Sequence, residues 1–212
     1  MKTRSLILYL LALAGLPLTA PAQNEEATQA LVTEGIAEFE NLRYDEALAK
    51  LIEAEKLQPN SPFIDNLLGA IYTKKNEFAT AKTYFEKALD LSPGFFPAMF
   101  NLGELLFLQK QYPQALESFS KMLSKDPSNE LLQFKVILSL LLADQPDEAK
   151  RLLKSMKYPI KSPARYYSEA AVEIMAGDKG AASELVAKGQ TLFPDEAKLY
   201  TETFIDLGWA TN

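Results

Sequence analysis

The side chains best suited to acid–base chemistry are two adjacent carboxylate pairs, Asp45-Glu46 and Asp147-Glu148. Paired carboxylates can supply the acid and the nucleophile of a glycosidase. Both pairs, however, fall in the first turn of a predicted helix, where the helix dipole stabilises negative charge. Their position in the helix accounts for them, and we predict no catalytic residues here.

The 212-residue chain contains neither histidine nor cysteine. This composition excludes a Ser-His-Asp or Cys-His nucleophile site and the usual ligands of zinc. The glycines are spaced as packing residues and form no glycine-rich phosphate loop. We therefore expect a protein that is not an enzyme, with no metal site, no cofactor and no small-molecule substrate.

Residues 1–22 have the pattern of a secretory signal peptide. Two basic residues, Lys2 and Arg4, precede an apolar run, Leu6–Leu18, which is followed by small residues. The run is shorter than the roughly 20 residues of a membrane span. We expect cleavage before Gln23 and export to the periplasm. The alternative is an uncleaved anchor in the inner membrane.

The formal net charge of the whole chain is −6, and loss of the two basic residues of the leader would make it −8. A protein this acidic is a poor match for a phosphate backbone, so we expect no nucleic-acid partner. Without cysteine, an exported chain forms no disulfides and must be stabilised by packing.

Residues 62–93 have the periodicity of two consecutive helices. Gly69 and Tyr72 share one helical face, and Ala81 and Phe85 share another. The few residues between the two runs allow only a tight turn, and a proline ends the second run. The stretch predicts an antiparallel helical hairpin with apolar faces that a single hairpin cannot bury.

The same features recur at a step of 34 residues. Small residues recur on both helices, so that each helix can approach the next closely. Hairpins at this period stack in solenoids, where neighbouring units bury each other's faces. The recurring residues are Gly35, Gly69 and Gly103; Pro59, Pro93 and Pro127; and Ala47, Ala81, Ala115 and Ala149, followed after 33 residues by Ala182.

On these residues the sequence resembles the tetratricopeptide repeat family, in an exported bacterial form. The resemblance implies an all-α fold, a right-handed superhelical solenoid of about five helical hairpins with a C-terminal capping helix. A solenoid domain is expected over residues 23–194, with repeats near residues 28–61, 62–95, 96–129, 130–162 and 163–194, and the cap over residues 195–212.

The last two repeats depart from the family pattern. Ile137 and Ala170 stand where glycine is expected, and Met156 and Gly189 stand where the second small alanine is expected. We expect helices in both repeats, with a less regular spacing between them.

The first helix of the fourth repeat, Leu131–Ala143, is apolar on nearly all sides. A helix of this kind must be covered on every side. One interpretation is a central helix packed by its neighbours. The other is that its inward face, with Phe134, Leu138 and Leu141, belongs to a binding groove. The sequence favours neither.

The resemblance also implies where a partner binds, because in this family the first helices line a concave face that holds a peptide or a helix. Chaperone-binding members clamp a C-terminal carboxylate there, but Val32, Ile36, Leu67 and Pro97 occupy the matching positions here. An apolar groove suits an amphipathic helix instead. The residues expected to line it are Phe63, Asn66, Thr73, Phe100, Glu104, Phe107, Phe134, Leu138, Leu141, Tyr167 and Ile174.

The resemblance implies a non-catalytic scaffold or adaptor of the bacterial cell envelope. We expect it to bind a peptide or an amphipathic helix of another envelope protein in this groove. The alternative is a self-associating structural subunit, whose groove is filled by the chain itself or by a second copy in a homo-oligomer. The two hypotheses differ in what occupies the groove.

Overall fold

The computed structural model describes residues 22–156 and 161–210, and these residues form eleven α-helices and no strand. The all-α prediction is confirmed. The predicted signal peptide lies outside the described residues except for Ala22, with which the first helix begins. The helices are α1 (Ala22–Glu40), α2 (Tyr44–Leu57), α3 (Pro62–Lys74), α4 (Phe78–Leu91), α5 (Phe96–Leu108), α6 (Tyr112–Lys125), α7 (Glu130–Leu142), α8 (Pro146–Ser155), α9 (Ala164–Ala176), α10 (Lys179–Leu192) and α11 (Ala197–Asp206).

The turn inside each hairpin contains one residue in the left-handed backbone region. This conformation reverses the chain in a few residues, and it is easy for glycine and tolerable for asparagine or aspartate. Two of the five turns nevertheless use leucine or lysine. The residues are Leu42, Asn76, Lys110 and Asp144, with φ between 59° and 62°, and Gly177, with φ of 89°.

The described residues form two compact units, an N-terminal unit of residues 22–105 and a C-terminal unit of residues 106–156 and 161–210. In the N-terminal unit, apolar side chains of α1, α2 and α3 form one core cluster, and α4 packs against α5 through Phe85 and Leu105. Glycine on each first helix makes these contacts close. A Cβ atom at Gly69 would lie 2.6 Å from the ring of Phe85, and one at Gly35 would lie 2.8 Å from Leu51.

In the C-terminal unit, α7 is the central helix, and α6, α8 and α9 all pack against it. Every residue from Leu131 to Leu141 is buried. The requirement that this apolar helix be covered on all sides is therefore met within the protein.

The last hairpin, α9 and α10, exchanges the sizes of its contacting residues. The large side chain, Tyr167, lies on the first helix, and the glycine, Gly189, lies on the second. A Cβ atom at Gly189 would lie 3.1 Å from the ring of Tyr167 and 3.3 Å from the Cβ of Tyr166. The two helices therefore still approach closely at Gly189.

Candidate partner-binding surface

Two aromatic side chains of α11, one turn apart, pack on the faces of α7 and α9. The ring of Tyr200 lies 4.8 Å from that of Phe134 and 5.4 Å from that of Tyr167. The ring of Phe204 lies 5.2 Å from Tyr167 and 6.4 Å from Phe134. These separations are typical of favourable aromatic pairs, and all four rings are buried. We call the face formed by Phe134, Lys135 and Tyr167 the α7/α9 seat.

Polar groups fix the position of α11 on the α7/α9 seat. The Nζ atom of Lys135 donates to the Oγ1 atom of Thr203 at 3.2 Å, and the hydroxyl groups of Tyr167 and Thr201 are hydrogen-bonded. Burial raises the pKa of the Tyr167 phenol, so it stays protonated at physiological pH. The aromatic contacts therefore come with two hydrogen bonds that specify how the helix lies.

Lys135 is a charged residue with only 1% of its surface exposed. Its Nζ atom lies 5.6 Å from the centre of the Phe107 ring and 5.8 Å from that of Phe134. A cation above aromatic rings is stabilised by the negative charge of their faces. Lys135 was not among the predicted groove residues, although a single cation within an otherwise apolar helix is a signal that could have identified it.

The C-terminal end of α11 is closed by a left-handed glycine. Gly208 has φ of 72°, and the backbone N–H of Trp209 donates to the carbonyl of Phe204 at 2.7 Å. This turn brings the Trp209 ring to 5.4 Å from the Phe204 ring, edge on. Trp209 is the only tryptophan of the chain. It therefore sits at the end of the helix that covers the α7/α9 seat.

The N-terminal unit places a polar pair on its first helices. The side-chain amide of Asn101 in α5 donates to the Oδ1 atom of Asn66 in α3 at 2.8 Å, and both residues are buried. On the same helix as Asn66, the hydroxyl of Thr73 donates to the carbonyl of Gly69 at 2.8 Å. Asn101 was not among the predicted groove residues; its spacing of 35 residues from Asn66, close to the repeat length, is the signal that identifies it.

The predicted groove residues are almost all buried. Phe63 and Ile174 are half-buried, and Phe63 packs against the core of the N-terminal unit. The structure brings Phe107, Phe134 and Tyr167 together around Lys135 and α11, as described above. That the set lines a groove for a partner stays a prediction. The buried members are Asn66, Thr73, Phe100, Glu104, Phe107, Phe134, Leu138, Leu141 and Tyr167.

A separate charged cluster ties three helices of the N-terminal unit together. Lys87 in α4 pairs with Asp65 in α3, at 2.7 Å, and with Glu55 in α2. Burial raises the pKa of Asp65, and the nearby ammonium group of Lys87 only partly opposes that shift. We interpret this cluster as a structural link between helices, since Lys87 pairs with carboxylates of two other helices.

Two other kinds of site do not occur within residues 22–156 and 161–210. In these ranges, no three acidic side chains come together in a way that would hold a metal ion. No helix in the same ranges is both long enough and apolar enough to span a membrane.

Two tetratricopeptide repeat models match the chain, over residues 32–94 and 72–136. The chain is a tetratricopeptide repeat protein. Proteins of this family act as protein-interaction scaffolds and are typically non-catalytic. The predicted membership of this family is thereby confirmed.

Similar proteins include Hsp70-Hsp90 organizing protein 2 of Arabidopsis thaliana, which is 31% identical over 94 residues. The match covers 44% of this chain and only 16% of that protein. This tetratricopeptide repeat protein thus corresponds to a small part of its curated relative.

Two bacterial structures are similar over most of the chain. TTC0263, a thermophilic tetratricopeptide repeat protein of Thermus thermophilus, has a TM-score of 0.67 at 21% identity and covers 85% of this chain and 99% of its own. PilW, a type IV pilus biogenesis factor, has a TM-score of 0.64 at 22% identity, with 85% and 84% covered. At these identities the likeness shows the fold.

Proposed function

We propose that this protein is a scaffold of the bacterial cell envelope that holds an amphipathic helix of another protein on the face of its first helices. The observation that carries the proposal is the α7/α9 seat. An aromatic face with two directional polar groups accepts a helix there, and the helix it accepts is amphipathic. Recognition of an amphipathic helix in an apolar groove is a common mode of protein binding.

The envelope location is part of the proposal and rests on the pattern of residues 1–22. Cleavage before Gln23 would release the protein into the periplasm. Fractionation of the cells followed by mass spectrometry of the intact protein tests this. A chain that keeps residues 1–22 and sediments with membranes would indicate the uncleaved anchor instead.

Site-specific photocrosslinking tests the binding face. A photoreactive phenylalanine analogue replaces Phe63 or Ile174, because these two predicted groove residues are only half-buried and tolerate the change best. The matched control carries the analogue at Glu86, an exposed position on the second helix of a hairpin. We expect one or a few envelope proteins to be captured from the groove positions and not from Glu86. Equal capture from all three positions would contradict a specific groove.

Glutamate substitutions at Phe100 and Phe134 are not a clean test of binding. Both side chains are fully buried, so the variants would place a carboxylate in the core. Burying an unpaired charge costs several kcal/mol of folding free energy (order of magnitude). A loss of capture would then report unfolding.

The second candidate function is a self-associating structural subunit, and α11 favours it because this segment of the chain already fills part of the expected groove. Sedimentation velocity at several protein concentrations distinguishes the two. A subunit of an assembly is expected to shift to larger species as the concentration rises. A constant monomer would leave the scaffold as the better proposal.

A further inference from the structure

We propose that α11 is an exchangeable occupant of the α7/α9 seat, and that the partner replacing it is an amphipathic helix of matching pattern. That pattern has two aromatic residues one turn apart and hydroxyl residues between them, as in Tyr200, Thr201, Thr203 and Phe204. This inference rests on the proposed function and adds to it the kind of helix that binds.

The two helices α7 and α9 together form the surface on which α11 packs. Phe134 and Tyr167 lie with their ring centres 6.5 Å apart. Four residues of a helix rise about 6 Å, so the seat accepts aromatic side chains that are four residues apart. Lys135 and the Tyr167 hydroxyl then contact the residues between them. Departure of α11 would uncover two aromatic rings and remove a hydrogen bond from each polar group. The seat is therefore a surface that requires an occupant of this chemistry.

The occupant is a short helix held mainly by one face. α11 has ten residues, fewer than the roughly 12 to 15 that an isolated helix needs to be stable in water. It follows α10 after a connection of only four residues, and its helix depends on packing. Segments of this kind open at a lower free-energy cost than a helix such as α7, which is buried on every side.

The short connection between α10 and α11 determines how strongly α11 competes with a partner helix for the seat. A segment joined by a short connection competes at an effective concentration on the order of millimolar. A free helix with the same pattern therefore binds the intact protein weakly, and weakening α11 makes the seat available. The protein therefore has a closed state, in which α11 covers the seat, and an open state, in which the seat is available to a partner helix.

A peptide of residues 194–210, with Trp209→Phe and a fluorescent label, is the probe. It is titrated into the full-length protein and into the full-length Tyr200→Ala, Phe204→Ala variant, and binding is followed by fluorescence anisotropy. We expect the variant to bind the peptide about tenfold or more tightly than the wild type, because its own α11 competes less well. A peptide carrying the same two alanine substitutions is expected to bind neither protein.

The single tryptophan of the protein provides a second readout. Because the probe lacks tryptophan, emission comes only from Trp209, whose ring lies against Phe204 in the closed state. Displacement of α11 from the wild type at high peptide concentration is expected to expose Trp209 and shift its emission to longer wavelength. Saturable binding without any change in Trp209 emission would overturn the proposal, since the peptide would then bind elsewhere.

Two further full-length variants keep the test decisive. Tyr166→Ala removes a buried aromatic residue of α9 that lies beside Gly189 and Phe193, and it is expected to bind the peptide no better than the wild type. Thr203→Val keeps the shape of α11 but removes the hydrogen bond from Lys135, and it is expected to improve binding even if the double alanine variant fails to fold.

Absence of peptide binding to folded Thr203→Val and to the folded double variant would overturn the proposal. So would binding that appears only as a dimer dissociates, because the occupant would then be the α11 of a second copy. Photocrosslinking from Phe63 in the N-terminal unit does not depend on α11. Success there with failure here would refute this inference and leave the proposed scaffold function standing.

Discussion

The two units of this protein solve the same packing problem with opposite placements of large and small residues. In the N-terminal unit, Gly69 on a first helix receives the ring of Phe85 from the second helix. In the last hairpin of the C-terminal unit, the ring of Tyr167 belongs to the first helix and Gly189 to the second. The hairpin requires that one side of the contact be small. It does not require that the small residue always be on the same helix.

This exchange has a consequence for the surface of the first helices. On α3, Gly69 is small and Asn66 is polar, and Asn66 accepts a hydrogen bond from Asn101 of α5. Tyrosine gives α9 a large aromatic ring, which α11 covers. The same repeat architecture therefore produces one first-helix face with a polar pair and another with an aromatic seat.

The largest effect is expected when Gly69 and Gly189, the two glycines at these contacts, are replaced by alanine. Gly69→Ala is expected to destabilise the protein by about 1 to 3 kcal/mol, because its Cβ would lie 2.6 Å from the Phe85 ring. Gly189→Ala is expected to cost less, since its closest atom lies at 3.1 Å. Urea unfolding measures both.

Gly180→Ala is the matched control for these two variants. Its Cβ would meet no atom closer than 3.5 Å, so only the helix propensity changes, and stability should rise by at most about 1 kcal/mol. Equal losses at Gly69 and Gly189 would show that the exchanged contact is as tight as the ordinary one.

A smaller effect is expected from the left-handed turns, which occur in the hairpins of both units. Leu42→Gly in the N-terminal unit and Lys110→Gly in the C-terminal unit should each stabilise the protein by about 0.5 to 1 kcal/mol. The reason is that each native residue adopts a left-handed backbone that costs roughly 1 to 2 kcal/mol without glycine, partly offset by the greater freedom of unfolded glycine. Thermal and urea unfolding provide the values.

Asn76→Gly, at the equivalent position of the second hairpin, serves as the reference, because asparagine tolerates this conformation and little should change. A gain in only one unit would mean that the shared turn is under different constraints in the two.

A pH-dependent effect is expected from the charged cluster of the N-terminal unit. Because burial raises the pKa of Asp65, the folded protein holds a proton there more readily than the unfolded chain does. The resulting stabilisation is complete below the ordinary pKa of about 3.9 and is lost as the pH rises through the raised value. Relative to Asp65→Asn, the wild type should therefore become more stable as the pH falls from neutral towards 4, by at most about 1.4 kcal/mol per pH unit. A difference that does not vary with pH would show that Lys87 and burial offset each other.

Much of the fold was predictable because each repeat contains residues that must be small for its helices to pack closely. The spacing of Gly35, Gly69 and Gly103 predicted the hairpins and their period. The left-handed turns were not predictable at Leu42 and Lys110, since neither residue type signals that conformation. There the stacking of helices imposes a backbone that the local sequence disfavours.

The candidate site was predictable only for its apolar half. The resemblance to the repeat family, mapped onto this sequence, placed Phe134 and Tyr167 among the expected groove residues. It could not identify Lys135 or Thr203, because a polar residue on a helix is ordinarily exposed, and their contact joins positions 68 residues apart. That α11 covers α7 and α9 depends on tertiary geometry, which no local pattern encodes.

The distance along the chain between α7 and α11 determines the order in which the protein can be completed. The helix α7, which is buried on every side, emerges before α8, α9 and α10, whereas α11, which covers its aromatic face, emerges after them. Until then the nascent chain presents Phe134 to any hydrophobic surface nearby, the circumstance in which chaperones are needed and misassembly begins. Maturation of this protein should therefore be most vulnerable in the interval before α11 emerges.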